Sequence, residues 1–231
     1  WDPMKDPEKP GEHYGTYYWD EKGKMVRDNL EGDDSRVIMD RAIPFIRKTA
    51  KAGTPFLAVV WFHSPHLPVV NCDKYRKMYP GLSDHAQAYF GCVSGVDEQM
   101  GRIRKELADL GVADNTMLWY CADNGPEGSK YNLSKAAGSP GPFRGRKRSL
   151  FEGGVRVPGL LVWPSKVTRN RVVPMPCSTS DHFPTILDVL GYQPTGKVEP
   201  IDALSLLPLL DGTMTEPPPP LASRSKGTTS P

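Results

Sequence analysis

Three short segments of the sequence contain side chains whose types and spacing could support chemistry. Residues 63–68 read His-Ser-Pro-His-Leu-Pro, residues 123–126 read Asp-Asn-Gly-Pro, and residues 144–148 hold four basic side chains in five positions. An imidazole can transfer a proton or contact an anion. Carboxylate and amide oxygens suit Ca²⁺ or Mg²⁺ better than Zn²⁺, and a lysine ammonium can bind an anionic oxygen. The segments therefore offer a candidate histidine, a candidate pair of metal ligands and a candidate anion-binding lysine.

These candidates are His66, Asp123, Asn124 and Lys147, and each also has a simpler interpretation. Asp-Asn-Gly is a common turn sequence that needs no metal. His66 lies between two prolines, but a loop histidine can equally be bonded to backbone, and the nearby His63 can equally be a bystander. The basic run around Lys147 can be a solvated loop. A nucleic-acid surface is disfavoured because no aromatic residues alternate with these charges.

The elements around these segments predict an α/β fold with a mostly parallel sheet flanked by helices. Continuous apolar runs at 55–62 and 116–121 predict two buried strands, and 159–163 predicts a third. Apolar residues that recur every three or four positions from 84 to 110 predict a long helix, which Gly111 ends. Further helices are predicted at 33–53 and 181–190.

The order of these elements places two of the candidates at one edge of the sheet. A strand, a long helix and a second strand form a βαβ unit, so 55–62 and 116–121 are expected to be parallel neighbours. Ligands of open α/β sheets gather beyond the carboxyl ends of the strands. His66 follows the first strand and Asp123 follows the second. Both side chains could therefore lie in one cleft.

Composition narrows the class of protein. A chain of 231 residues can bury the core of one α/β domain, and its formal charge of +2 gives no global attraction to nucleic acid or anionic membranes. The longest apolar run, 56–62, is far shorter than the ~20 residues that span a bilayer. The four cysteines have no C-x-x-C spacing, which argues against an ordinary zinc site and a disulfide-dense module.

Four stretches, taken in order, resemble the sulfatase family of the alkaline-phosphatase superfamily. They are residues 55–68, 95–126, 143–164 and 178–191. The Asp-Asn-Gly-Pro motif and the pattern K-x-x-x-x-E-G-G-x-R-x-P, which begins at Lys147, are specific to that family. The resemblance covers most of residues 33–192. It implies a sulfuric ester hydrolase with the alkaline-phosphatase-like fold.

The resemblance also implies roles for the candidate residues. Asp123 and Asn124 match two ligands of a bound Ca²⁺, with Mg²⁺ as the other possibility, and Lys147 matches the lysine that binds the sulfate group. His66 matches the family histidine that contacts the sulfate or the leaving oxygen, and it is the expected proton donor. The family nucleophile is a formylglycine made from a cysteine. The expected substrate is a sulfate ester, carried by a carbohydrate or an aryl alcohol.

Two features of the family are missing from the sequence. No cysteine lies in a C-x-P-S-R or C-x-A-S-R motif, and the early Asp-Asp metal pair is absent, because Asp33 and Asp34 precede a helix and are interpreted as its cap. The matching part corresponds to the later part of the family's catalytic domain. We therefore expect a fragment that is inactive alone. We also expect it to fold poorly alone, because a parallel sheet without its first strands has open edges.

The same evidence suggests how the chain is divided. Residues 1–32 are expected to be an irregular segment, 33–215 the later part of a sulfatase catalytic domain, and 216–231 a loop or linker rich in Pro and Ser. The resemblance implies a lysosomal, periplasmic or extracellular location. The sequence leaves the oligomeric state open.

Two other functions remain open at this stage. Phosphate and phosphonate ester hydrolases of the same superfamily commonly have a histidine after the metal-binding Asp, where this chain has Asn124. A non-catalytic relative that binds sulfated glycans would keep the fold without the nucleophile. Arg146 and Arg148, which flank Lys147, suggest added positive charge near the sulfate and a polyanionic substrate.

Overall fold

The structure is a computed structural model that describes residues 18–67, 69, 73–128, 138–193 and 201–214. The chain divides into two compact units, of which the first contains residues 1–113 and 122–158 and the second contains 114–121 and 159–231. The proposed linker at 216–231 lies outside the described residues. Among the described residues, no helix is both long and apolar enough to cross a membrane.

The first unit is built on two long helices that pack against each other. Helix α1 spans Asp34–Lys51, a short helix α2 spans Asp73–Arg76, and α3 spans Asp84–Asp109. The predicted start of α1 is confirmed, because the Asp33 side chain caps the helix by accepting a hydrogen bond from the Ser35 amide. Apolar side chains of these helices form the core of the unit: Val37, Met39, Ile43, Ile46, Tyr75, Ala88, Cys92, Val96, Ile103 and Leu107.

Close approach between α1 and α3 depends on a glycine. A Cβ atom at Gly95 of α3 would lie 2.7 Å from Oδ1 of Asp33, which is 3% exposed. Burial raises the pKa of the Asp33 carboxyl, against the opposing hydrogen bonds from Ser35. Ion pairs at the rim join the same helices, with Arg47 Nε 2.6 Å from Glu106 and Arg102 2.8 Å from Asp40. The N-terminus of α1 is therefore fixed by α3.

The segment 55–62 differs from its prediction. The sequence predicts a strand buried on both faces, but this segment forms no strand, and Leu57, Val59 and Trp61 are 65%, 66% and 81% exposed. A strand forms only where a neighbouring strand supplies hydrogen-bond partners, and local apolar character cannot provide them. The predicted parallel pairing of 55–62 with 116–121 therefore does not form in the described part of the chain.

The second unit contains the strand pair that the structure does form. Strand β1 spans Leu118–Cys121 and strand β2 spans Gly159–Val162, and the two are antiparallel with Leu118 opposite Val162. Both lie within the predicted strand segments. Helices α5, His182–Val189, and α6, Leu207–Leu210, follow in this unit. The predicted helix at 181–190 is confirmed, while α6 was not expected.

The remaining short elements complete the path of the chain. Helix α4 spans Glu152–Val155 in the first unit, and 3₁₀ turns span Ala113–Asn115 and Thr179–Asp181. In the second unit, a capping box at Ser178 opens the turn before α5, and His182 stacks on Trp119 with ring centroids 4.1 Å apart. All four predicted site residues lie in the first unit.

Candidate functional site

The Asp-Asn-Gly-Pro turn is held in place by the glycine-rich helix α4. The Gly125 amide donates to the carbonyl of Gly154 over 2.8 Å, and both glycines are buried. Asp123 remains exposed at the start of the turn, and Asn124 is partly exposed. The Asn124 Nδ2 atom donates to the Gly125 carbonyl over 3.0 Å. Its Oδ1 atom is not used in this bond and can act as a ligand.

Lys147 belongs to the same loop cluster as the turn. Its backbone amide donates to the Pro126 carbonyl over 3.1 Å, which joins the basic loop directly to the turn. The Lys147 side chain is 18% exposed, and its Nζ atom lies 4.0 Å from Oε2 of Glu127. The structure thus brings Asp123, Asn124 and Lys147 into one group of interconnected loops.

Glu127 is a member of this cluster that the sequence did not identify. Its Oε1 atom lies 2.6 Å from the guanidinium of Arg148 and accepts from the Gly128 amide over 2.9 Å. The bond from Arg148 and, to a lesser degree, the charges of Arg148 and Lys147 lower the pKa of Glu127 to about 2. Arg148 therefore carries the short ion pair with Glu127. The Lys147 ammonium lies at the distance limit of such a pair and makes the weaker contact with Glu127.

Arg146 holds the loop together through hydrogen bonds to backbone carbonyls. Its Nη1 atom donates to the carbonyls of Glu127 and Gly138 over 2.9 and 2.8 Å. Two carbonyls on separate parts of the loop are thereby satisfied by one side chain. Arg148 is paired with Glu127, whereas Arg146 bonds only to neutral carbonyls, so the suggestion that both arginines add positive charge near the sulfate stays a prediction.

Backbone segments approach so closely here that only glycine fits. A Cβ atom on Gly125 would overlap the backbone carbonyl of Gly153, and a Cβ atom on Gly153 would overlap the carbonyls of Gly145 and Arg144. The Gly153 amide donates to the Arg144 carbonyl over 2.8 Å. The glycines of the E-G-G motif therefore allow the turn and the basic loop to share one hydrogen-bonded framework.

Replacing Gly125 by alanine should separate these loops. We expect the Gly125→Ala substitution to lower the free energy of unfolding of the native full-length protein by about 1–3 kcal/mol, the usual cost of overpacking. Denaturant unfolding followed by circular dichroism measures the change. Gly101→Ala is the matched control, because a Cβ atom there meets nothing within 4 Å on the exposed side of α3. The control substitution should be neutral or slightly stabilising. Equal losses of stability in both variants would show that the close backbone approach at Gly125 is not the cause.

His66 is fixed by contacts within its own loop. Its backbone amide donates to the His63 carbonyl over 2.8 Å, and its Nδ1 atom lies 2.5 Å from the Leu67 carbonyl. The side chain is exposed. The expected placement of His66 and Asp123 in one cleft stays a prediction, because these contacts orient His66 without reaching the turn.

The residues of the turn fit a hard divalent cation in donor type and in accessibility. Asp123 offers a charged oxygen and Asn124 a neutral one, as Ca²⁺ prefers. In the part of the chain that the structure describes, no three His, Cys, Asp or Glu side chains cluster as a complete metal site would. The two oxygens would therefore form part of a coordination sphere that other groups complete.

Comparison with solved structures shows which proteins share this arrangement of the chain. The crystal structure of Ps i-CgsB in complex with k-i-k-neocarrahexaose superimposes with a TM-score of 0.73 and 28% sequence identity. The match covers 83% of this chain and 41% of that one. The chain therefore has the alkaline-phosphatase-like α/β fold of sulfatases, although the described strands form only a small antiparallel pair.

Comparison with characterised sequences leads to the same family. Human N-acetylgalactosamine-6-sulfatase is 33% identical over 208 residues, which are 90% of this chain and 38% of that protein. Rat steryl-sulfatase is 35% identical over 174 residues, with coverages of 73% and 28%. The chain thus spans well under half the length of these relatives. The sulfatase family model matches residues 2–192, so the chain belongs to the sulfatase family.

Proposed function

We propose that this chain forms part of the active site of an enzyme that hydrolyses sulfate esters. The hydrogen bond from the Lys147 amide to the Pro126 carbonyl carries the proposal, because it joins the family's metal-ligand motif to its sulfate-binding lysine. An anion bound between the two segments would meet the Lys147 ammonium on one side and, once Asp123 and Asn124 hold a metal ion, a second positive charge on the other. This is the charge arrangement that a sulfate group requires.

Each residue has a distinct part in the proposed reaction. Lys147 binds and orients the sulfate through its ammonium group, which lies 4.0 Å from Glu127 while Arg148 makes the short ion pair with that carboxylate. His66, exposed on its loop, donates a proton to the leaving oxygen, which departs as the alcohol. Asp123 and Asn124 would hold Ca²⁺, with Mg²⁺ as the alternative, and the bound ion would stabilise charge on the sulfate oxygens. The formylglycine nucleophile is supplied from outside these 231 residues.

The proposed substrate is a sulfated carbohydrate. One relative is named for N-acetylgalactosamine 6-sulfate, and the structural neighbour contains a neocarrahexaose. The steryl-sulfatase match supports the broader class of sulfate esters without favouring a sugar. A panel of sulfated monosaccharides, oligosaccharides and a steroid sulfate, tested with one enzyme preparation, separates these classes by kcat/KM.

Peptide mass spectrometry on the native full-length protein tests the proposal most directly. We expect a C-x-P-S-R or C-x-A-S-R peptide outside residues 1–231 whose cysteine has the mass of formylglycine, together with turnover of an aryl sulfate. A full-length protein without such a peptide and without turnover would instead support a non-catalytic relative that binds sulfated glycans. Turnover of a phosphonate ester in place of the sulfate ester would overturn the reaction class.

A further inference from the structure

The Asp34 carboxylate is buried, although the cap of helix α1 is formed without it. The cap of α1 is already formed by Asp33, whose side chain accepts from the Ser35 amide over 3.0 Å. Asp34 is the first residue of the helix and is only 6% exposed. Burying a second carboxylate costs free energy unless other groups bind it. The hydrogen-bond donors to the Asp34 carboxylate therefore indicate its role.

Both oxygens of Asp34 bind a residue that is 29 positions later in the chain. Oδ1 lies 3.2 Å from Nδ1 of His63, and Oδ2 accepts from the His63 backbone amide over 3.4 Å. The hydroxyl group of Tyr18 also donates to Oδ1. Asp34 thus holds the ring and the backbone of His63 at the same time.

The charge state of Asp34 suits this contact. Burial opposes the charged form, but the hydrogen bonds from His63 and Tyr18 outweigh it and keep the pKa of Asp34 below its ordinary value. An ionised carboxylate can only accept hydrogen bonds, so Nδ1 of His63 carries the proton in this pair. Among the described residues, Asp33 and Tyr18 are the other titratable groups that interact with Asp34.

His63 in turn binds the backbone of His66. The His63 carbonyl accepts the hydrogen bond from the His66 amide over 2.8 Å, which closes the turn between them. The turn at residues 63–66 is therefore bound through His63 to the N-terminus of α1, and α1 packs on α3. We infer that Asp34 is a positioning residue for His66, acting through His63. The inference rests on the proposed function, because it assigns Asp34 to the histidine that would donate the proton.

Asp34→Asn in the native full-length protein tests the inference with two readouts. The neutral amide keeps the size of the side chain but cannot accept both His63 hydrogen bonds as a carboxylate does. We expect hydrogen exchange at the His66 amide to accelerate about tenfold or more, since its partner His63 becomes mobile. We also expect kcat for an aryl sulfate to fall about 10–100-fold, with KM changed less than about threefold, because misplacement of a catalytic group lowers the rate.

Three further variants make the result specific. Asp40→Asn is the matched control on the same helix, because Asp40 pairs with Arg36 and Arg102 and should leave His66 exchange unchanged. His63→Ala should reproduce the loss in kcat, and it keeps the test valid if Asp34→Asn does not fold. The double variant should be no worse than the single ones.

Two outcomes would overturn the inference: unchanged His66 exchange in Asp34→Asn, or additive losses of Asp34→Asn and His63→Ala. A wild-type protein that turns over no sulfate ester contradicts the proposed function alone. In that case the exchange measurement still decides whether Asp34 positions His66.

Discussion

Replacing Lys147 by alanine is expected to lower kcat/KM for a sulfate ester by about 10²–10³-fold, the usual effect of removing one preorganised charge-stabilising donor. The Lys147 ammonium is largely sheltered in the loop and lies 4.0 Å from Glu127, so no short ion pair competes with a bound sulfate. Steady-state kinetics with the native full-length protein and an aryl sulfate measure the loss. Lys147→Arg should recover only part of the rate, because a guanidinium has a different shape.

A charge-matched control separates this local effect from a change in overall charge. Lys105 lies on α3, is 75% exposed and pairs with Asp109 four residues later. Lys105→Ala removes the same charge at the surface and should leave kcat/KM within about twofold, because exposed ion pairs contribute little. If Lys147→Ala were as active as Lys105→Ala, Lys147 would not bind the sulfate group.

Replacing Asp123 by alanine is expected to have the other large effect. The variant should bind Ca²⁺ much more weakly and lose about three orders of magnitude in kcat, because a catalytic metal contributes several kcal/mol of charge stabilisation. Calorimetric titration of the chelator-treated protein measures the metal affinity, and kinetics at rising Ca²⁺ concentration measure the rate. Partial rescue at high Ca²⁺ would agree with the loss of one ligand among several.

The Lys105–Asp109 ion pair of α3 also supplies a control for Asp123. Asp109→Ala removes an exposed carboxylate of α3 that is paired with Lys105 and should change neither Ca²⁺ affinity nor rate. Asn124→Ala should weaken Ca²⁺ binding less than Asp123→Ala, because it removes a neutral oxygen. If all three variants bind Ca²⁺ equally well, then the Asp-Asn-Gly-Pro motif serves only as a turn.

The helices could be predicted from the sequence because their signals are local. In α1 the capping residue Asp33 lies directly before a periodic apolar stripe, and α3 shows the same spacing over 26 residues. Pro44 lies inside α1 and did not stop it. Packing of the apolar face on α3 stabilises α1 against the loss of one backbone hydrogen bond. Such helices need little information from elsewhere in the chain.

The strands depend on partners that local sequence does not reveal. Residues 118–121 and 159–162 were placed correctly as strands, but their antiparallel register follows from which segments meet in space. The candidate site shows the same limit. Family motifs identify Asp123, Asn124 and Lys147, whereas the contacts of Glu127 with Arg148 and of Asp34 with His63 join residues 21 and 29 positions apart. Only the folded chain brings those pairs together.

The exposed alternation of Leu57, Val59 and Trp61 has a practical consequence for handling the protein. The run Phe56–Phe62 contains no charge, no proline and no glycine, and this is the composition that favours stacking of identical strands between molecules. Charged gatekeeper residues that would oppose such stacking are absent within the run. We therefore expect residues 1–231 produced alone to aggregate, and variants of this region should be made and compared in the native full-length protein.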